Sequence, residues 1–381
     1  MIMTANDQER GVIRGLRGVA AATTRISFVD PLGSLYYSGY NIDVLVNHAT
    51  YEEVVYLLLN NELPTKNELN ALKSELFSAM RLPKEVVQRI RSASPVCHPM
   101  EVLRTEVSHL GEFDPEPDDN SDQANKRRAI RIIAKVPTII SFLYRTRAKE
   151  SAVAPVKEFS FAENFLYMFR GRRADQQEKT AMERYMILHA DHGLNASTFA
   201  ARVTAGTGSD LYSAVTSAIG TLKGSFHGGA SEKVMKMLYE ISSLNEVEEY
   251  IQSMLDDKKK IMGFGHRVYK SEDPRSKHLR EIAEKLCHQK DTLEIYNTCK
   301  KIEHTVHAKK GIFPNVDYYA ALVMHALGVP RDFFTSFFAA SRVSGWVAHT
   351  LEQYVDAVLI RPTSEYIGEY GRKFISIEKR G

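Results

Sequence analysis

Helix-start signals recur along this chain, and they constrain its fold more than any other feature does. Thr50-x-x-Glu53, Thr65-x-x-Glu68 and Asn245-x-x-Glu248 each set a capping side chain three residues before a carboxylate, ahead of apolar residues at helical spacing. A chain punctuated in this way is mainly α. The exception is near the N-terminus, where Ile26 to Asp30, a Pro31-Leu32-Gly33 turn and Leu35 to Tyr37 read as a minor β-hairpin. Strands do not alternate with helices, so a doubly wound nucleotide-binding sheet is not expected. The Gly263-x-Gly265 pair also lacks the preceding strand and third glycine of a dinucleotide fingerprint. Pro137, inside the apolar pattern Ile132 to Tyr144, is expected to kink or interrupt its helix. The acidic stretch Glu112 to Asp122, carrying Pro115 and Pro117, is expected as a surface loop.

A length of 381 residues, 44% of them hydrophobic and 25% charged, is enough for a large core and two structural domains. No apolar stretch reaches membrane-spanning length; even Ile132 to Tyr144 is broken by Lys135 and Pro137. Met1 to Asp7 lacks the apolar core of a secretion signal and the Arg/Ser-rich character of a transit peptide, so a cytoplasmic protein is expected. Cys97, Cys287 and Cys299 are odd in number and share no Cys-x-x-Cys spacing, which reads as reduced thiols rather than a disulfide framework. The net charge of +3 is too small to indicate nucleic acid but is compatible with a small anionic substrate. The basic run Lys258-Lys259-Lys260 follows Asp256-Asp257 and is either a solvated helix end or a phosphate contact.

Three segments carry acid/base chemistry: Leu222 to Ala230 around His227, Gly263 to Tyr269 around His266, and Pro314 to Tyr318 around Asp317. Removing a proton next to a carbonyl needs a base and a hydrogen-bond donor for the oxygen that gains charge, so a carboxylate with two imidazoles is a sufficient set. Asp317 is the base in this reading. A fourth polar cluster, Leu188 to Thr198, holds His189, Asp191 and His192; three-residue spacing puts both histidines on one face of a helix, where metal ligation or anion contact is the choice. The small residues of Phe199 to Asp210 read as a helix-packing or subunit surface, and Phe333 to Val347 as core. Within that core Arg342 needs an anionic partner, either a structural carboxylate or a substrate carboxylate.

These residues resemble the citrate synthase family in its short, dimeric form. The resemblance runs from Gly15-Leu16-Arg17-Gly18-Val19 and Leu63-Pro64-Thr65 through His98 to Thr105 to the closing Arg361 to Gly368. Its most specific pieces are the His192 segment, the His227 loop, Gly263 to Arg275, Asn315-Val316-Asp317 and Ala340 to Trp346. It implies a large helical domain of residues 1–227 and 326–381 with a smaller helical domain, 228–325, inserted and closing over the substrates. The implied activity is that of an acyltransferase that turns the acyl group into an alkyl group on transfer, condensing acetyl-CoA with oxaloacetate and water to citrate and CoA. No permanently bound cofactor is implied; the coenzyme A thioester is a co-substrate.

By family position Asp317, His227 and His266 are catalytic, and His192, Arg275 and Arg342 bind oxaloacetate, with Arg361 coming from the second subunit of a homodimer. Coenzyme A is implied along Met262, Gly263, Phe264 and Gly265, with Lys270 at a phosphate-binding position. Where relatives carry Tyr-Arg-Gly-Tyr this chain has Tyr37-Ser38-Gly39-Tyr40, which removes a possible phosphate contact; Lys258 to Lys260 are the candidates to compensate. A close relative, 2-methylcitrate synthase, uses propionyl-CoA through the same residues, and the sequence does not separate the two. Readings of other classes are a metal-dependent hydrolase built on His189 and His192, and a catalytically silent helical scaffold.

Overall fold

The computed structural model describes residues 12–380 except Arg17 and Asp291; the N-terminal segment Met1 to Asp7 lies outside the described residues. Sixteen α-helices stand among them: α1 Ile42–His48, α2 Tyr51–Asn60, α3 Lys66–Ala79, α4 Lys84–Ser92, α5 Pro99–His109, α6 Asp122–Arg147, α7 Phe161–Arg170, α8 Gln176–His189, α9 Ala196–Ala205, α10 Leu211–Leu222, α11 Ala230–Glu240, α12 Val247–Asp256, α13 Pro274–Gln289, α14 Leu293–Lys310, α15 Val316–Ala326 and α16 Phe334–Asp356. The mainly α expectation holds. None of these helices is long and apolar enough to cross a membrane.

Thr24 to Leu359 form one unit. A second comprises the segments before Thr24 and from Ile360 onward, where the described regular structure is two single 3-10 turns, Arg14–Leu16 and Ile377–Lys379.

Two of the three helix-start signals form complete capping boxes, at Thr50 with Glu53 and at Thr65 with Glu68. The third does not. Asn245 falls inside a 3-10 turn, Leu244–Glu246, and α12 starts without a side-chain cap. Pro137 sits within α6, which continues through it for 26 residues without interruption. Burial on all sides of that stretch, from Ile132 to Ile140, offsets the backbone hydrogen bond a proline removes. Of the Glu112 to Asp122 stretch, residues 114–121 are the expected loop, between a 3-10 turn that ends at Phe113 and the start of α6, and Asp114 and Glu116 tie it to Arg128 and Arg131 of α6.

The hairpin is present as β1 Ser27–Asp30 and β2 Ser34–Tyr37, antiparallel with Ser27 opposite Tyr37. A short third strand, β3 Tyr40–Asn41, was not expected from the sequence; it follows a turn with positive φ at Ser38 and Gly39.

Every residue of α16 from Phe334 to Thr350 is buried. A helix apolar all round belongs inside a bundle, and α16 packs on α2, α6, α8, α9 and α10. The helices from α11 to α15 pack chiefly on one another, with α13 also touching α8 and α1. Of the polar segments singled out above, Leu222 to Ala230 joins the two sets, Leu188 to Thr198 joins α8 to α9 of the first, and in the second Gly263 to Tyr269 lies in a loop and Pro314 to Tyr318 leads into the first turn of α15.

Candidate active site

Asp317 occupies the first turn of α15, behind an Asn315 cap whose side chain accepts its backbone N–H at 3.1 Å. The helix start favours an anion there. Ser231, at the head of α11, donates to Asp317 Oδ1 at 2.8 Å. Burial nevertheless dominates and pushes the carboxyl up to about 6, against the Ser231 hydrogen bond and the charges of Arg275 and Arg342. A carboxylate of that strength is mostly ionised at neutral pH yet basic enough to take a proton.

The two imidazoles are held by opposite nitrogens. Nε2 of His227 meets Ser197 Oγ at 2.9 Å and accepts the Ser197 N–H at 3.3 Å, while Trp346 Nε1–H fixes the same hydroxyl at 3.1 Å. With Nε2 accepting, the free Nδ1 carries the proton. Nδ1 of His266 accepts the backbone N–H groups of Val268 and Tyr269, each at 3.0 Å, so its proton sits on Nε2. Burial, with Arg342 adding, pushes His227 down to about 4. Burial, with Arg275 adding, does the same to His266. Both rings are neutral donors at pH 7. Ser197 of α9, from another part of the chain, orients the His227 ring.

His192 lies just beyond the C-terminus of α8, so it does not share a helix face with His189. Its Nε2 meets Tyr269 OH at 3.1 Å, and its ring stands 5.3 Å from that of His266. His189 instead stacks on Tyr185 and bonds the Tyr185 carbonyl through Nδ1 at 2.8 Å. Among the described residues no cluster of three or more His, Cys, Asp or Glu side chains has metal-binding geometry.

The two buried arginines differ. Arg275, in the first turn of α13, is paired bidentately with its own helix cap Asp273, at 2.9 and 2.7 Å. Arg342 lies 1% exposed on α16 with Nε donating to His189 O at 2.6 Å and its guanidinium over the Phe338 ring. Among the described residues Arg342 has no carboxylate within ion-pair distance, and its Nη2 has no hydrogen-bond partner. Burial pulls this guanidinium down to about 10. The charge of Arg342 acts on His192, His227 and Asp317, and that of Arg275 on His192, His266 and Asp317, so these side chains form one electrostatic cluster.

Backbone contacts join the loops that carry them. Asn315 N–H donates to Gly263 O at 2.8 Å, Asn315 Nδ2 to Gly265 O at 3.0 Å, and Phe264 forms a β-bridge with Pro314. The two glycines of this turn serve different ends. A Cβ on Gly263 would fall 2.7 Å from Tyr318, whereas at Gly265 the space is open, and both have positive φ. Phe264 is buried against Tyr318 and Met262 is half-buried.

Lys258, Lys260 and Lys270 are exposed, and the Lys270 N–H donates to Pro31 O. Ser38 occupies the β2–β3 turn, with Oγ 3.2 Å from Asn61. The opposite turn of the hairpin, at Gly33, is the one that touches Ser271. Arg361 belongs to the second unit and is exposed.

Sequence reasoning had not assigned Ser197, Ser231, Tyr269 or Asp273 their places. Of these only Asp273 announced itself, since aspartate before proline is a helix-start signature.

Residues 15–363 match the family described as citrate synthase, C-terminal domain. Citrate synthase 2 of Bacillus subtilis is 47% identical, over 96% of this chain and 99% of its own. Citrate/2-methylcitrate synthase of the same organism is 40% identical, over 93% of this chain and 96% of its own. Among solved structures, the ternary complex of carboxymethyl coenzyme A and oxaloacetate with citrate synthase from Thermoplasma acidophilum superposes with a TM-score of 0.91 at 35% identity, covering 96% of this chain and 99% of that one. A helical fold, a carboxylate and imidazoles in one cluster and likeness along nearly the whole length agree, and the chain belongs to the citrate synthase family of acyltransferases.

Proposed function

We propose that the chain condenses acetyl-CoA with oxaloacetate and hydrolyses the resulting thioester to citrate and CoA. The observation that carries the catalytic roles is the pair of neutral imidazoles with protons on opposite nitrogens, under the same two buried arginine charges as a basic carboxylate. Asp317 takes a proton from the acetyl methyl group while His227 Nδ1–H gives its proton to the thioester oxygen, forming an enol; that proton returns to His227 as the carbonyl re-forms. The enol carbon attacks the keto carbon of oxaloacetate, and His266 Nε2–H donates to the keto oxygen as the bond closes. Water then cleaves the citryl thioester and releases the CoA thiol. His192, Arg275 and Arg342 hold the dicarboxylate in this reading, and Met262 to Gly265 with Lys270, Lys258 and Lys260 hold coenzyme A. Coenzyme A is a co-substrate, and no resident cofactor takes part.

The same reading takes helices α11 to α15 as a lid domain, residues 228–325, that closes over the substrates and excludes water during enol formation. It makes the enzyme a cytoplasmic homodimer in which the partner subunit's Arg361 completes each site.

Free thiol is expected only when both substrates are supplied, and Asp317→Ala should remove at least about a hundredfold of its rate. Thiol release independent of oxaloacetate would sink the proposal. Because one relative is named for both citrate and 2-methylcitrate, specificity constants for acetyl-CoA and propionyl-CoA decide the thioester. Acetyl-CoA is expected to be preferred. For the shared site, refolding a mixture of inactive Asp317→Ala and Arg361→Ala subunits should recover about a quarter of wild-type activity, since mixed dimers keep one intact site. No recovery would place Arg361 in its own subunit's site or in none.

A further inference from the structure

Beneath the segment that carries His192 lies a buried hydrogen-bonded pair that the proposed chemistry does not use. Asp191 and His349 are both 0% exposed, and His349 Nε2 stands 3.2 Å from Asp191 Oδ2 although 158 residues separate them. The same oxygen accepts from Ser27 Oγ of β1 and from Gly193 N–H at 2.9 Å. Asp191 N–H donates to Tyr37 OH at 3.2 Å, and that hydroxyl donates to Asp191 O at 2.9 Å. The neighbouring Ala190 O accepts Gly345 N–H of α16 at 3.1 Å, and a Cβ at 345 would fall 2.3 Å from Asp191 Oδ1. The segment therefore rests directly on α16, with no room for a side chain between them.

Both ends of this short segment touch groups on the dicarboxylate side of the site. At one end His189 O holds Arg342 Nε; at the other is His192 itself. Asp191 is also the carboxylate whose charge most offsets the burial of Arg342. A carboxylate acting through space keeps the guanidinium charged and leaves its fork open, whereas one in contact would occupy it.

We propose that Asp191 and His349 are positioning residues for the dicarboxylate side of the site, holding segment 189–193 against α16 and so placing both His192 and the Arg342 fork. The proposed function enters only in naming the ligand as oxaloacetate.

Calorimetric binding of oxaloacetate and steady-state kinetics, run in parallel on full-length wild type, Asp191→Asn, His349→Leu, His349→Gln and Ser27→Ala, test this. Asp191→Asn and His349→Leu should weaken oxaloacetate binding and raise its KM about tenfold or more, with the KM for acetyl-CoA within about twofold. His349→Gln, whose amide can still donate to Asp191, should stay within about threefold of wild type. Unchanged oxaloacetate Kd in folded Asp191→Asn and His349→Leu overturns the inference, and so does an equal rise in both KM values, which general loosening of the fold would produce. If Asp191→Asn does not fold, the two His349 variants and Ser27→Ala carry the same comparison. A wild type that binds oxaloacetate without releasing thiol removes the proposed catalysis and leaves the inference to the Kd values. A wild type that does not bind oxaloacetate overturns both.

Discussion

The inner wall of the candidate site and the lysines proposed for coenzyme A hold positive charge under opposite conditions. On the inner wall Arg342 and Arg275 are buried on α16 and α13, and only Arg275 has a carboxylate in contact. The proposed coenzyme A contacts Lys258, Lys260 and Lys270 stand in solvent. A desolvated charge costs folding free energy and acts strongly on whatever enters beside it; a solvated one costs little and contributes little. In the proposed reading the wall is thus where a small anion is selected, and the exposed lysines are where a long ligand gains modest, replaceable attraction.

The sharpest way to break this contrast is Arg342→Met. Losing a buried charge contact worth about 3 kcal/mol should raise the KM for oxaloacetate about a hundredfold or more. Because no carboxylate in contact is orphaned by the change, the melting temperature should hold or rise. A steep fall in melting temperature would make Arg342 a structural residue and erase the distinction.

Next in size is the effect of pH. With Asp317 near 6 and His227 and His266 near 4, kcat/KM should rise about tenfold per unit below pH 6 and level off above it, as the base ionises while the donors stay neutral. Stability moves in the same direction. Between about 6 and 4 the histidines bind protons in the unfolded chain but not in the folded one, so acidification costs stability. Asp317, Glu183 and Glu106, raised on folding, oppose this, but His189, His192, His227, His266 and His325 are all depressed and outnumber them. Melting should therefore come at lower temperature at pH 5 than at pH 7, and the reverse order would contradict the buried, neutral imidazoles.

The smallest effect belongs to the exposed lysines. Lys258→Ala, Lys260→Ala or Lys270→Ala should each raise the KM for acetyl-CoA by less than about fivefold, less still at high salt. A tenfold loss at any one of them would mark a desolvated phosphate contact.

Local signals were legible where their physics is local. Thr50 and Thr65 close their own capping boxes three residues away, and the β1–β2 hairpin closes around Pro31 to Gly33. Asn245 failed because a capping box works only when the cap residue is extended and the helix begins directly after it, and a 3-10 turn occupies that position. Pro137 does not interrupt α6, since packing around that helix overrides the local penalty. The acid/base residues could be named from type and setting. Their partners could not: Ser197 meets His227 across 30 residues and Ser231 meets Asp317 across 86.

Residue chemistry and helical period, both properties of neighbours along the chain, were enough to identify a mainly helical protein with a carboxylate and two imidazoles suited to enolisation. Which nitrogen of each ring carries the proton, which arginine lacks a contacting carboxylate and which buried pair underlies the His192 segment were decided only by packing. Desolvation and long-range pairing are properties of neighbours in space, and no spacing along the chain encodes them.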